Sequence, residues 1–204
     1  MIKNIIFDLG NVVFKFNLNN VLNRYTEDDQ IKALLTEVIF DSQEWKDLDQ
    51  GIIEKDKALG IMLSKLPIYL HDACKGIMQE WCDILEINYD IIDLITKLRN
   101  NGYKTYVLSN APHDIPPFLT YKDLNKYFDG QIISAQEKIS KPDAKIYEIL
   151  LNRFNLKPNE SIFFDDKAEN IEAAIAAKIN GVVYDYNHHE KLLEELDKYD
   201  VNYR

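Results

Sequence analysis

Five short apolar runs constrain the fold of this 204-residue chain more than any other feature. They are Asn4-Ile5-Ile6-Phe7, Lys104-Thr105-Tyr106-Val107-Leu108, Gln131-Ile132-Ile133-Ser134, Ser161-Ile162-Phe163-Phe164 and Gly181-Val182-Val183-Tyr184. Each is rich in β-branched and aromatic side chains and is bounded by turn or polar residues. None alternates strictly, which is how strands buried on both faces read. Between them run helical stripes. Ile91, Ile92, Ile95 and Leu98 recur at i, i+3 and i+4 and stop at Asn101-Gly102. Ile146, Ile149, Leu150 and Phe154 follow Pro142, which suits a first helical turn. Ile171, Ala174, Ile175 and Ile179 form a third stripe, closed by Asn180-Gly181. Strand and helix in alternation imply right-handed crossovers and an α/β fold: three layers, with a doubly wound parallel sheet in the middle.

One interval breaks the rhythm. Between the first strand and the helix near residue 90, the pattern is helical over about 18–27, 28–39, 42–50, 53–65 and 69–85, with Gly51 ending one helix and Pro67 separating others. A structureless loop of that length would be anomalous, so the segment reads as an inserted helical subdomain with Trp45 and Trp81 in its small core. The expected division is an α/β core of residues 1–15 and 88–204 and a helical cap of 16–87. The tail around His188-His189 and Leu192-Leu193 reads as a surface helix, and its adjacent histidines are poorly spaced for a metal.

Charge narrows the function. With 34 acidic and 24 basic residues the formal charge is −10, which disfavours nucleic acid and anionic membrane surfaces as partners. No apolar stretch reaches the roughly 18–20 residues of a membrane span, and the start of the chain is not expected to act as a signal peptide. Cys74 and Cys82 fall in one helical segment, about 12 Å of rise apart, and read as free thiols of a reducing compartment. The expected location is the cytoplasm, and the expected state a monomer or weak homodimer.

In an open parallel sheet, ligands bind beyond the carboxyl ends of the strands. There the sequence places Asp8-Leu9-Gly10-Asn11, Ser109-Asn110 and Asp165-Asp166 with Asn170 close behind, while Lys141 precedes the helix near Pro142. An Asp after a strand is often only a turn residue, and Ser109 alone could be a helix cap. Two adjacent acids after a buried strand are costly without a counter-charge, however, and crowded carboxylates suit Mg²⁺, which favours oxygen ligands.

The chain resembles the haloacid dehalogenase-like hydrolases. The likeness rests on Ile5-Ile6-Phe7-Asp8-Leu9-Gly10-Asn11-Val12, Val107-Leu108-Ser109-Asn110, Ser140-Lys141-Pro142-Asp143 and Phe163-Phe164-Asp165-Asp166-Lys167-Ala168-Glu169-Asn170. In look it is most similar to a bacterial sugar-phosphatase subgroup acting on α-glucose 1-phosphate. The resemblance implies a Rossmann-like core with a small cap after the first motif, and a Mg²⁺-dependent phosphatase acting on a small phosphorylated metabolite. It makes Asp8 the nucleophile that forms an aspartyl-phosphate. It makes Asp8, Asp166 and the carbonyl of Gly10 the Mg²⁺ ligands. Ser109, the amide of Asn110 and Lys141 would hold the phosphoryl oxygens, with Asp165 and Asn170 in support.

The sequence departs from that pattern at one position. Most phosphatases of the family carry a second Asp two residues after the nucleophile, as general acid towards the leaving alcohol; here Gly10 stands there. Unless another group supplies the proton, the rate should depend steeply on the pKa of the departing alcohol. Glu44, Asp47 and His113 are the candidate substitutes. The missing acid also admits a metal-independent 2-haloacid dehalogenase, which needs no proton for a leaving halide, and a phosphate-binding regulatory protein without turnover. The retained Asp165-Asp166 pair favours the Mg²⁺ phosphatase.

Overall fold

The computed structural model describes residues Met1–Arg204. In chain order the elements begin with β1 (Asn4–Phe7), β2 (Phe14–Lys15), α1 (Leu18–Leu22), α2 (Asp29–Leu35), α3 (Gln43–Gln50), α4 (Lys55–Ser64), α5 (His71–Glu80) and β3 (Glu86–Ile87). They continue with α6 (Tyr89–Asn100), β4 (Lys104–Ser109), α7 (Ile115–Tyr121), β5 (Gly130–Ile133), α8 (Ser134–Glu137) and α9 (Ala144–Arg153). The last four are β6 (Ser161–Asp165), α10 (Ala168–Ala176), β7 (Asn180–Val183) and α11 (His189–Lys198).

Five strands form one parallel sheet in the order β5-β4-β1-β6-β7. Phe7 of the central β1 lies beside Val107 of β4 and Phe164 of β6. That register carries Asp8, Ser109 and Asp165 to one edge of the sheet. Successive strand residues face opposite layers. Ile6, Tyr106, Leu108, Ile132 and Phe163 pack with Ile146, Tyr147 and Leu150 of α9 and Ile171 and Ala174 of α10. Ile5, Phe7, Val107, Ile133, Ile162 and Phe164 join a larger core with Ile91, Leu94, Ile95 and Leu98 of α6. Both faces are thus apolar, which is why none of these strands alternates in sequence. The α/β, three-layer doubly wound fold is what the spacing of the runs predicts. No helix is long and apolar enough to cross a membrane.

The segment between β2 and β3 is helical, and its buried Leu35, Ile39, Met62, Cys74, Ile77 and Trp81 are continuous with the larger core. Its helices are shorter than their apolar patterns. The first covers only Leu18–Leu22, the second ends in a π-helical turn over Thr36–Phe40, and 3₁₀ turns flank α5. Ser42 starts α3, its hydroxyl accepting from the Trp45 amide at 3.1 Å. Gly51 ends it in the left-handed region at φ 72°, and a Cβ there would lie 2.1 Å from the carbonyl oxygen of Ala135. At this position the close approach of α3 to α8 requires glycine. The antiparallel pair β2–β3, with Phe14 beside Ile87 and Lys15 beside Glu86, joins the two passages of chain into and out of the insertion.

Three local expectations need correction. Pro142 lies outside α9, which Asp143 caps by accepting from the Lys145 amide at 2.9 Å. The α10 helix ends at Ala176 and turns at Lys178 (φ 65°), so Asn180-Gly181 belongs to β7 rather than to a helix stop. The tail is no plain surface helix: Leu192 and Leu196 are buried in the core. Leu196→Ala should therefore lower unfolding free energy by about 2–5 kcal/mol in a urea titration. A change within about 0.5 kcal/mol would fit a solvated helix instead.

Candidate active site

The strand ends and the inserted helices enclose a cavity of about 510 Å³. Its floor holds Asp8, Ser109, Lys141 and Asp166, and Gly10, Asn110 and Asn170 also line it. Oxygens of Asp8, Asp165 and Asp166 lie within 4.8 Å of one another. The structure thus brings Asp8, Gly10, Ser109, Asn110, Lys141, Asp165, Asp166 and Asn170 to one place.

The three acids differ in how their oxygens are occupied. Asp165 is fully buried, and its two oxygens accept from Lys141 Nζ at 2.6 Å, the Lys167 amide at 2.8 Å and Asn170 Nδ2 at 2.9 and 3.0 Å. Those donors leave it little capacity for a cation. Asp166 is half-buried and accepts one bond, from Asn11 Nδ2 at 2.9 Å. On Asp8, Oδ1 is buried and has no aligned donor. The Lys141 ammonium lies 3.0 Å from it, so the contact is coulombic attraction without hydrogen-bond geometry. A buried oxygen with no aligned donor, beside a second, lightly used carboxylate, is a donor set that suits a hard divalent cation. Asp8, Asp166 and the carbonyl of Gly10 are the groups that could hold it.

Burial raises the Asp8 carboxyl above the usual carboxylate range and Asp165 reinforces the effect, while the Lys141 ammonium and the Ser109 hydroxyl oppose it. Burial pulls Lys141 down, but Asp8 and Asp165 together outweigh it and hold the ammonium above its ordinary value. The lysine is fixed from three sides, donating also to the Leu108 carbonyl at 2.8 Å. The Asn110 side chain clamps its backbone, donating to the Lys141 carbonyl at 2.9 Å and accepting from the Lys141 amide at 2.8 Å. Tyr147 steadies the last part of the network by donating to the Asn170 carbonyl at 2.8 Å.

The candidate substitutes for the missing acid lie elsewhere. Glu44 holds Lys65 at 2.6 Å, Asp47 accepts from Gln43 at 2.7 Å, and neither lines the cavity. His113 borders a separate, smaller pocket. The acid that does line the cavity from the insertion is Asp49, on α3. Its carboxylate has no hydrogen bond within the chain; burial, with a smaller push from Asp8 and an opposing pull from Lys167, raises it to about 8. Asp49 still exposes part of its surface, and it lines the cavity. The signal that could have found it is helical spacing, since Asp49 lies four residues after Trp45, which lines the same cavity. Phe14, Phe16, Trp45 and Trp81 form an aromatic wall, with Trp45 and Trp81 edge to face at 5.2 Å.

The parallel sheet places carboxylates, a hydroxyl and a buried lysine together at its carboxyl edge, where ligands bind in folds of this class. The model of the haloacid dehalogenase-like hydrolases matches residues 2–178, and the chain belongs to that family. It is 28% identical over 183 residues to a sesquiterpene phosphatase of Aspergillus oryzae, covering 88% of each chain. It is 27% identical over 185 residues to a D-ribitol-5-phosphate phosphatase of Bacteroides thetaiotaomicron, covering 84% of this chain and 86% of the relative. Among solved structures, a family enzyme from Bacteroides thetaiotaomicron in complex with magnesium and inorganic phosphate superposes with a TM-score of 0.67. It is 21% identical, with 93% of this chain and 99% of that one covered. The family match and the two phosphatase relatives make the chain a phosphatase-type hydrolase.

Proposed function

We propose that this chain is a Mg²⁺-dependent phosphomonoester hydrolase that works through an aspartyl-phosphate on Asp8 and acts on a small sugar phosphate or related metabolite. The observation that carries the reading is the contrast between Asp165, whose oxygens are taken by donors, and Asp8 Oδ1, which has none in alignment. Asp8 attacks phosphorus in line, and water later hydrolyses the acyl phosphate. Ser109, the Asn110 amide and Lys141 hold the phosphoryl oxygens as charge redistributes over them. Asp165 and Asn170 keep Lys141 in place. When bound by Asp8, Asp166 and the Gly10 carbonyl, Mg²⁺ supplies charge neutralisation between carboxylates and phosphoryl group. Residues 16–87 act as a cap over this centre.

The test is phosphate release from p-nitrophenyl phosphate with and without EDTA. Chelator-resistant turnover of a 2-haloacid, with none of the ester, would reverse the assignment in favour of a dehalogenase. Binding of beryllofluoride without turnover on any phosphate ester would favour a regulatory protein. Asp166→Ala should abolish Mg²⁺-stimulated activity and leave the melting temperature near that of the wild type, since Asp166 accepts a single hydrogen bond. Undiminished Mg²⁺ dependence in that variant would require Asp165 and Asp166 to exchange roles.

The aromatic wall favours a second substrate class. Four rings beside the phosphoryl site offer apolar contact that a sugar uses on one face only, and the relative from Aspergillus oryzae is named for a sesquiterpene substrate. A panel setting sugar and sugar-alcohol phosphates against prenyl phosphates, compared by kcat/KM, decides between the two.

A further inference from the structure

The phosphatase reading leaves one atom without a source: the proton that the departing alcohol needs. At Gly10 a Cβ would meet no heavy atom within 4 Å, so there is open space where a side chain could stand. Among the acids lining the cavity, Asp8 and Asp166 are committed to attack and metal, and Glu169 is exposed on the first turn of α10, where an acidic side chain serves the helix dipole. Asp49 remains.

We propose that Asp49 is the catalytic acid of this enzyme, giving its proton to the leaving oxygen of the phosphomonoester and recovering one from the water that hydrolyses the phosphoryl-enzyme. The inference rests on the phosphatase reading and completes it. Three contacts fix the end of α3 against the core. The Ser134 hydroxyl donates to the Asp49 carbonyl, Gln50 Nε2 donates to the Lys138 carbonyl at 3.2 Å, and Gly51 packs against Ala135. The backbone at Asp49 is therefore held while its carboxyl stays free for substrate. Its position in the last turn of α3 disfavours the anion further, because the helix dipole is negative there. The charged groups around the cavity are Asp8, Lys141, Asp166, Lys167 and Glu169 from the core and Lys46 from α3 itself. Of these, Lys167 pulls the Asp49 carboxyl down and Asp8 pushes it upward, and burial outweighs both and favours the protonated acid.

The step balances. As the bond from Asp8 to phosphorus forms, the bond to the alcohol oxygen breaks, and that oxygen keeps the electron pair and takes the Asp49 proton. In the second half, water oxygen attacks phosphorus and loses its proton to the Asp49 carboxylate. The electron pair of the acyl-phosphate bond returns to Asp8, and inorganic phosphate leaves.

The experiment measures kcat/KM on p-nitrophenyl, phenyl and benzyl phosphate for the wild type, Asp49→Asn and the double variant Gly10→Asp/Asp49→Asn, each checked by thermal melting. The wild type should show a shallow dependence on leaving-group pKa. Asp49→Asn should lose about 10²–10³-fold on benzyl phosphate but less than about tenfold on the nitrophenyl ester, whose leaving group needs no proton. Restoring a carboxyl at position 10 should recover at least about tenfold on benzyl phosphate. Equal losses on all three esters, or no loss on any, would overturn the assignment. A wild type that releases no phosphate from any ester would overturn the phosphatase reading itself, a separate result.

Discussion

Asp8→Asn should leave no measurable turnover on any phosphomonoester, a loss of about 10⁴-fold or more in kcat. An amide cannot form the acyl phosphate, and no other carboxylate at this edge can replace it. Asp165 is saturated by its donors, and on the proposed reading Asp166 holds the cation. The fold should not suffer. Burial raises the native Asp8 carboxyl above its unfolded value, so the wild type loses stability as pH climbs through that interval. The neutral amide escapes the loss. In metal-free buffer the variant should melt at or above the wild type near pH 7, with the difference shrinking towards pH 4. Labelled phosphate trapped on the variant in a rapid quench would show a different nucleophile at work.

Lys141→Met should have the largest effect on stability, about 3–5 kcal/mol at pH 7, together with loss of turnover. The lysine side chain is wholly buried between Asp8 and Asp165. Methionine of similar length leaves one carboxylate fully buried and another nearly so without their cation, and strips the Leu108 carbonyl of its donor. In the wild type the raised lysine keeps its stabilising effect throughout the neutral range and loses it only above the ordinary lysine value. The variant should recover part of its deficit at pH 5, where the orphaned Asp8, already raised by burial, can protonate. Urea titrations at the two pH values measure this directly. A deficit below about 1 kcal/mol at pH 7 would mean that water enters and solvates the pair.

What the sequence made legible follows strand ends. Asp8, Ser109 and Asp165 stand at the last residue of a buried run or just beyond it, and a parallel sheet brings such positions together whatever lies between them. Lys141 and Asn170 came through the motif around them, and the burial of both shows why those residue types stand there. Asp49 was missed because helical acids are numerous and most face water; only the approach of α3 to α8 turns this one inward. The β2–β3 ribbon, two residues on each side, is too short for any periodicity to register. Leu192 and Leu196 were hidden by the charged residues around them, which dominate the composition of α11 without deciding which face is buried.

That small ribbon has a consequence for how such a molecule can be altered. It gathers both crossings of the chain at a single seam, with Phe14 beside Ile87 and Lys15 beside Glu86. Every residue assigned to the phosphoryl group or the cation lies outside the stretch the seam encloses, whereas Asp49, Trp45 and Trp81 lie within it. A foreign insertion would have to close across the same seam and also cover the core surface that Leu35, Ile39 and Met62 now share. On the proposed reading, the residues that break the phosphorus–oxygen bond and those that meet the alcohol therefore sit on opposite sides of one seam, and an exchange of the enclosed stretch alters the second set while leaving the first in sequence unchanged.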